Sequence, residues 1–462
     1  MEQWLLLVEW MNFYVIVMEF AMKNDIFENL SIPKAVGSLA LPTMMGMLVM
    51  VVYNLTGTFF VGQLHDANQI AAITITMPIF LLLMAFGTLL GVGGGSYISI
   101  LLGKKEGEEA KQAASFAFYG SLAIGVICML VGLMFMQQIL SLSGASVHTY
   151  EYAKGYLVII AVGSPAIVAS FSLGQIIRAE GAAKQAMAGM MIGTIINIVL
   201  DPIFILWMGM GVTGAAVATV LANVISVFYY IYYFVKRNSQ LSISFKKFVL
   251  TKKMLKAVFS IGTPASINSL LMSTSNIILN NFAVQYGDNV VAALGVVSRV
   301  SLIPIMLLLG LCQGVQPLIG YNYAANNKKR MTDIINFTAI WGTAIGVIFT
   351  LLLYWLGKSA IEVFSNDPAV VNLGEGFLQV ILLSIPFLGI QFLVTTSFQA
   401  MGKGIPSLWL SISRQGIMFI PILIIANAWG GLKGVISAQP LTDIMTTVLA
   451  IVLFYREIRK KH

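Results

Sequence analysis

Chemistry in this chain rests on a few polar residues set in long apolar runs, and the strongest of them is Asp201. Asn197 precedes it by four residues and so lies one turn away on the same helix face. Pro202 follows directly. Having no N–H, it leaves the carbonyl one turn back without its helical partner and so offers a further oxygen. Carboxylate, amide oxygen and that carbonyl or the Thr219 hydroxyl compose a candidate site for a hard cation such as Na+. The same carboxylate could instead carry a proton. An acid at the bilayer centre costs about 2.5 to 3.5 kcal/mol on insertion scales, so it reads as functional by default, the alternative being a hydrogen bond to a neighbouring helix. Asp443 falls near the middle of the last apolar run, where it either pairs with Arg414 or lines a second cavity. Glu375 lies near the end of its run and reads as a solvated charge. Arg178 and Glu180 share a short loop and are candidates for a gate latch, with solvated loop charges as the other reading.

Other chemistries lack their parts. An intramembrane enzyme needs a nucleophile with a base, a His pair or two facing acids. His65, His148 and His462 sit in loops or the tail, and there is no HExxH. Cys128 and Cys312 both fall in apolar stretches, which provides neither a disulfide scaffold nor a four-ligand metal site. Gly91, Gly93, Gly94 and Gly95 read as close helix contact or a kink, and Gly103-Lys104-Lys105 lacks the Walker spacing, so no ATP site is visible. The basic residues lie between apolar runs rather than in a patch with interleaved aromatics, which argues against nucleic acid.

The elements that must hold these residues are membrane spans. Of 462 residues, 58% are hydrophobic and 10% charged. Mean hydropathy is +0.87, and soluble domains carry about 25% charged residues. A helix crossing a ~30 Å hydrocarbon core needs about 20 apolar residues. Twelve segments qualify, from about Gly37, Ile70, Gln112, Tyr152, Ala186, Val212, Ala257, Val290, Thr332, Val370, Pro406 and Leu432. With both termini placed in the cytoplasm, 22 Lys and Arg fall on that side and only Lys154, Lys358 and Lys433 on the other. One missed helix would invert every later loop, so this asymmetry supports twelve spans. Asp201 is then 17 residues from Lys184, about 25 Å along its helix and in the outer half of the membrane. The first 21 residues are apolar but carry Glu2, Glu9 and Glu19 and no basic start, unlike a signal peptide. They are expected to be an interfacial helix or an extension upstream of Met22 rather than a thirteenth span.

The sequence also lies over itself at a shift of about 221 residues. Ser38, Pro42, Asn54 and Phe60 meet Ser260, Pro264, Asn276 and Phe282 at 222. Ala71, Ala72, Gly93, Ala179 and Gly181 meet Ala292, Ala293, Gly314, Ala400 and Gly402 at 221. Gly211, Gly214 and Ala218 meet Gly431, Gly434 and Ala438 at 220. Six spans per half is an even number, so the halves share one orientation and are related by a pseudo-two-fold axis along the membrane normal. The expected organisation is an extension at 1–28, interfacial or disordered, a first lobe at 29–236 and a basic cytoplasmic linker at 237–256. A second lobe at 257–456 and a cytoplasmic tail at 457–462 complete it. The fold class is therefore an all-α polytopic membrane protein with two six-helix lobes suited to alternating access, and the internal repeat leads us to expect a monomer.

Several ordered motifs resemble the multidrug and toxic compound extrusion (MATE) family across nearly the whole chain, from about Asn29 to Arg456. They are Tyr53-Asn54-Leu55-Thr56-Gly57-Thr58-Phe59-Phe60-Val61-Gly62, Arg178-Ala179-Glu180-Gly181 and Asn197-Ile198-Val199-Leu200-Asp201-Pro202-Ile203-Phe204. In the second half come Gln316-Pro317-Leu318-Ile319-Gly320-Tyr321-Asn322-Tyr323 and Ser413-Arg414-Gln415-Gly416. The details are most similar to the bacterial MepA-like branch. The resemblance implies an antiporter in a bacterial plasma membrane that expels organic cations and other amphipathic drugs in exchange for H+ or Na+, with no cofactor. It implies a first-lobe cation site at Asn197, Asp201 and Thr219, and it exposes a gap, because the family usually has Asp where Gly57 stands. Acids that some relatives carry in the seventh and tenth spans are also missing, with Met272 and an apolar stretch around Ile390 there instead. Tyr53, Asn54, Met272, Asn276 and Gln316 are the candidate cavity residues. Met44, Met45, Met47, Met50 and Met306 add a deformable apolar surface, unless they are simply packing or facing lipid. The runner-up is a lipid-linked sugar flippase of the same superfamily, whose cavity should hold several cations; only Arg299 and Arg414 are intramembrane.

Overall fold

The computed structural model describes residues 25–64, 66–236 and 239–459. The first 21 residues, His65, Arg237 and His462 lie outside the described residues. Among those described, every regular element is a helix. The first lobe holds α1 (Ile32–Gly62), α2 (Ala67–Gly103), α3 (Gly107–Met134), the short α4 (Met136–Leu142), α5 (Tyr150–Ala179), α6 (Ala183–Pro202) and α7 (Gly211–Lys236). The second holds α8 (Lys252–Val284), α9 (Asp288–Ala324), α10 (Lys328–Glu362), α11 (Pro368–Leu382), α12 (Ile385–Ala400), α13 (Gly404–Ile412) and α14 (Phe419–Arg459).

Among the described residues nine helices are long and apolar enough to cross a membrane outright, and α11 with α12 makes a tenth, bent by 48°. The remaining two follow from local chemistry. α8 is diluted by Ser260, Thr263, Ser266, Ser269, Ser273, Thr274 and Ser275, so it reads as less apolar than its neighbours. The stretch from Gly404 onward holds two spans, because Gly431 turns the chain at φ +54° and ψ −134°. Helices α2 and α9 each run 37 residues, about 55 Å at 1.5 Å per residue, so their ends project beyond a ~30 Å core into water. This accounts for Lys104 and Lys105 directly after α2. We call the end of the bundle that carries most of the Lys and Arg the basic end.

The repeat is visible in the backbone itself. Gly211 opens α7 at φ +57° and Gly431 turns within α14 at φ +54°, the left-handed region that glycine enters without penalty. A Cβ added to Gly214 would stand 2.7 Å from the Phe204 carbonyl oxygen, and one on Gly434 would stand 1.8 Å from that of Ala426. The two hairpins are therefore closed in the same way. Lys105 and Asn326, 221 residues apart, also share a left-handed conformation, at φ 62° and 59°. Each sits where a helix ends with a six-to-one bond, Glu106 N to Leu101 O at 2.9 Å and Asn327 N to Asn322 O at 2.9 Å.

The lobes meet where α2 packs on α8 and α1 on α9. An added Cβ on Gly93 would stand 2.3 Å from Val258 O and 3.1 Å from Gly262 Cα; one on Gly314 would stand 2.5 Å from Ala40 Cα. Gly93 and Gly314 are repeat partners, as are Ala40 and Gly262, so one contact occurs twice across the pseudo-two-fold. Small residues let backbones approach this closely where lipid supplies no hydrophobic drive. These contacts lie in the basic-end halves of the helices, while the far halves of α1 and α8 expose Asn54, Phe59, Met272 and Asn276.

Residues 25–28, expected to be interfacial or disordered, instead form a helical turn packed between the lobes. Phe27 is only 2% exposed.

Candidate functional site

Asp201 and Asn197 lie in the last turns of α6, and Thr219 faces them from α7. All three are buried, Asp201 at 4% exposure. With the Asn197 amide oriented so that both its atoms have partners, Nδ2 donates to Asp201 Oδ2 at 3.0 Å and Oδ1 accepts from Thr219 N–H at 3.1 Å. Pro202 ends the α-helical ladder, and the chain continues as one π turn, Ile203–Trp207. π turns of this kind are common at functional sites. Tyr53, on α1, lies near Thr219 and within electrostatic reach of Asp201. Tyr156, on α5, lies within electrostatic range of both Tyr53 and Asp201. Among the described residues no Lys or Arg pairs with Asp201.

Tyr53, grouped above with the cavity residues, thus stands at the carboxylate. Tyr156 was not singled out in the sequence, where an aromatic in an apolar run looks like any packing residue. Gly57 lies one turn beyond Tyr53, and nothing comes within 4 Å of a Cβ built on it. The position accepts a side chain without displacing a neighbour. No group of three or more His, Cys, Asp or Glu occurs among the described residues, so a multi-carboxylate metal centre is absent there.

The second lobe answers Asp201 differently. Arg414 Nε donates to Asp443 Oδ1 at 2.7 Å, and the pair is buried at 6% and 2% exposure. Gln439 Nε2 adds a bond to Oδ1 at 3.0 Å, and Ser384 Oγ one to Oδ2 at 3.4 Å. Ser384 occupies the break between α11 and α12, so the bend carries its hydroxyl to the carboxylate. The Arg414 guanidinium lies 5.0 Å from the Phe392 ring centroid. At the repeat offset Gln439 is the counterpart of Thr219, and the counterpart of Asp201 falls in the apolar Pro421–Leu423 stretch. The sequence left pairing or cavity lining open for Asp443; the structure pairs it.

Arg178 ends α5 and crosses between the lobes. Its Nη1 donates to Gln175 Oε1 at 2.9 Å and to Gln313 Oε1, on α9, at 3.0 Å. Gln316 Nε2 donates to Ser96 Oγ at 2.9 Å beside it, and these groups line a small recess between the lobes toward the basic end. Glu180 works within its own lobe. It accepts from Tyr233 Oη, from Ser239 Oγ at 2.8 Å and from Gln240 N at 3.0 Å, which ties the loop after α5 to the interlobe linker. Met272 and Asn276 are exposed on α8, Asn54 is exposed on α1 and Glu375 is half-buried.

Two bundles of six spans, built on one duplicated plan with a buried carboxylate inside one of them, define a multi-pass membrane protein. The MatE family model matches residues 42–203 and again 264–425, at the same 222-residue shift as Pro42 and Pro264, and the chain belongs to that family. It is 37% identical over 432 residues to the multidrug export protein MepA of Staphylococcus aureus strain MRSA252, covering 93% of this chain and 95% of that one. To MepA of Staphylococcus haemolyticus strain JCSC1435 it is 38% identical over 429 residues, covering 93% and 94%. Its fold superposes with a TM-score of 0.90 on a structure described as the outward-facing conformation of a multidrug resistance MATE family transporter, at 26% identity over 94% of this chain and 98% of that one.

Proposed function

We propose that this protein is a cation-coupled antiporter that exports amphipathic, often cationic, drugs across a bacterial plasma membrane by alternating access. The observation that carries the reading is Asp201, a buried carboxylate without a counter-ion in a lobe that can open. Its relatives named as multidrug export proteins support the substrate class. The basic end faces the cytoplasm in this reading, since Lys and Arg collect in cytoplasmic loops. The lobes are then closed inside and parted outside, an outward-facing state.

The geometry favours a proton as the coupling ion. The Asn197 amide gives its N–H to the carboxylate, and its oxygen accepts from Thr219 N–H, so the side facing Asp201 is a donor rather than a cation ligand. That leaves the Asp201 carboxylate, the Thr219 hydroxyl and the carbonyl freed by Pro202, few ligands for a hard cation that collects about six oxygens. Na+ would require the amide to turn over. Tyr53 and Tyr156 place two phenols within electrostatic range of the carboxylate. Asp443 does not add a second free acid, because Arg414 neutralises it. The same pairing removes one of the two intramembrane cations a sugar-pyrophosphate flippase would need.

Dye efflux from proteoliposomes tests this with a pH gradient or a sodium gradient imposed separately, using parent and Asp201→Asn. Export driven by the pH gradient in the parent alone is expected. Export driven by sodium alone would replace the proton with Na+, and equal pumping by both proteins would remove Asp201 from the mechanism.

A further inference from the structure

The segment ahead of α1 makes contacts that the transport reading leaves unused. Phe27 is buried and stacks on Tyr321 at the end of α9, with ring centroids 4.7 Å apart and planes at 21°. On the other side it fills the space under the loop after α5: a Cβ on Gly181 would stand 3.0 Å from Phe27 Cε2. One ring therefore touches both lobes. Arg330, in the first turn of α10, grips the backbone around it. Its Nε donates to Phe27 O at 2.8 Å, and its Nη2 donates to Leu30 O at 2.6 Å and Ile26 O at 3.4 Å. Asn322 Nδ2 donates to Phe27 O at 3.3 Å, and Tyr321 Oη donates to Glu28 Oε1 at 2.5 Å. A guanidinium presents five donors in a fixed planar fork, so three carbonyls around one arginine hold the chain in one conformation.

We propose that Asp25–Leu30 is a bolt for the basic-end gate, clamped to the second lobe by Arg330, Tyr321 and Asn322 and to the first through Phe27 and Gly181. The segment is joined covalently to α1, in the first lobe. When the lobes part at the basic end, Phe27 must leave either Tyr321 or Gly181, and one set of contacts breaks. The clamp therefore exists only while that end is shut. By its contacts it biases the molecule toward the outward-facing state, and Phe27, Tyr321 and Arg330 set the ease of turnover without touching drug or coupling ion.

This inference rests on the transport reading, and its test is built so that the two can fail separately. Val92 lines the small recess between the lobes and is 7% exposed. In the full chain carrying Cys128→Ser and Cys312→Ala, Val92→Cys is labelled with a membrane-impermeant maleimide applied at the basic end. Phe27→Ala and Arg330→Ala should each raise the labelling rate about tenfold, equivalent to about 1.4 kcal/mol of population shift. Phe27→Leu, which keeps apolar volume but not the ring stack, should fall between. A second arm joins Glu28→Cys to Tyr321→Cys with a short reducible cross-linker, which should stop dye efflux until the linker is cleaved. Labelling at the parental rate in folded variants overturns the proposal, as does undiminished efflux from the cross-linked protein. If the alanine variants do not fold, the cross-linking arm decides alone. A parent that pumps no dye under any gradient refutes the transport reading, while the labelling arm still reports the bolt.

Discussion

Replacing Asp201 by Asn keeps shape and hydrogen bonding and removes the buried carboxylate proposed to take the coupling ion. The number of such charges sets the size of the expected effect. With one titrating carboxylate, each cycle exchanges one proton for one monovalent drug cation, no net charge moves, and membrane voltage drops out. A pH difference of one unit then stores about 1.4 kcal/mol per turnover, enough for about a tenfold drug gradient. Were Asp443 to take a second proton, the same pH difference would sustain about a hundredfold gradient. Voltage would then add about 2.3 kcal/mol per 100 mV. The Arg414–Asp443 pair at 2.7 Å argues for the smaller figure. The assay is steady-state accumulation of a monovalent fluorescent cation in proteoliposomes with the pH gradient fixed and the voltage clamped by potassium and valinomycin. The parent should stop near tenfold at every voltage, and Asp201→Asn should show no gradient while still carrying dye downhill. A parental gradient well above tenfold, or one that follows voltage, would refute the one-carboxylate account.

Gly57→Ala should stabilise the protein by about 0.5 to 1 kcal/mol, because glycine inside a helix costs that much and the added Cβ meets nothing within 4 Å; chemical denaturation in detergent measures it. Gly57→Asp should fold equally well and raise the steady-state gradient beyond tenfold, read in the same accumulation assay. Asp443→Asn should lower stability by about 3 to 5 kcal/mol, because it leaves Arg414 buried without its counter-ion, whereas Arg414→Met with Asp443→Leu should recover most of that loss. Gly93→Val would drive a side chain into the Val258 carbonyl, 2.3 Å from the first added carbon. It should hold the basic end open, seen as faster maleimide labelling of Val92→Cys.

The architecture was largely legible in the sequence because its signals are long and redundant. Twelve apolar runs, a lopsided distribution of Lys and Arg and a shifted self-match each cover hundreds of residues. The site was legible where chemistry is unusual for its surroundings: Asp201 and Asn197 stand out in hydrocarbon, and the structure brings them to Thr219. Tyr156 was hidden because an aromatic in an apolar run is the commonest thing to find there, and only the packing of α5 against α6 and α7 brings it within range of the carboxylate. Phe27 was hidden for a related reason. Its role depends on Gly181 and on Tyr321, 294 positions further on, and no local pattern encodes such a meeting. Glu180 shows the limit of reading neighbours together. It adjoins Arg178 in sequence, yet one charge reaches across to the other lobe and the other turns back to the linker, because α5 ends between them.

The seam between Gly93 and Gly262 and its twin between Gly314 and Ala40 bring main chain against main chain. Interlocked side chains would have to unthread before such surfaces could separate, passing through strained intermediates and leaving ragged voids. Smooth surfaces can peel apart and re-seat with little memory of how they parted. Under the proposed alternating access, such a seam would part without side chains having to unthread, and even an alanine at Gly93 or Gly262 should jam it, because the first added carbon already meets a backbone oxygen at 2.3 or 2.0 Å.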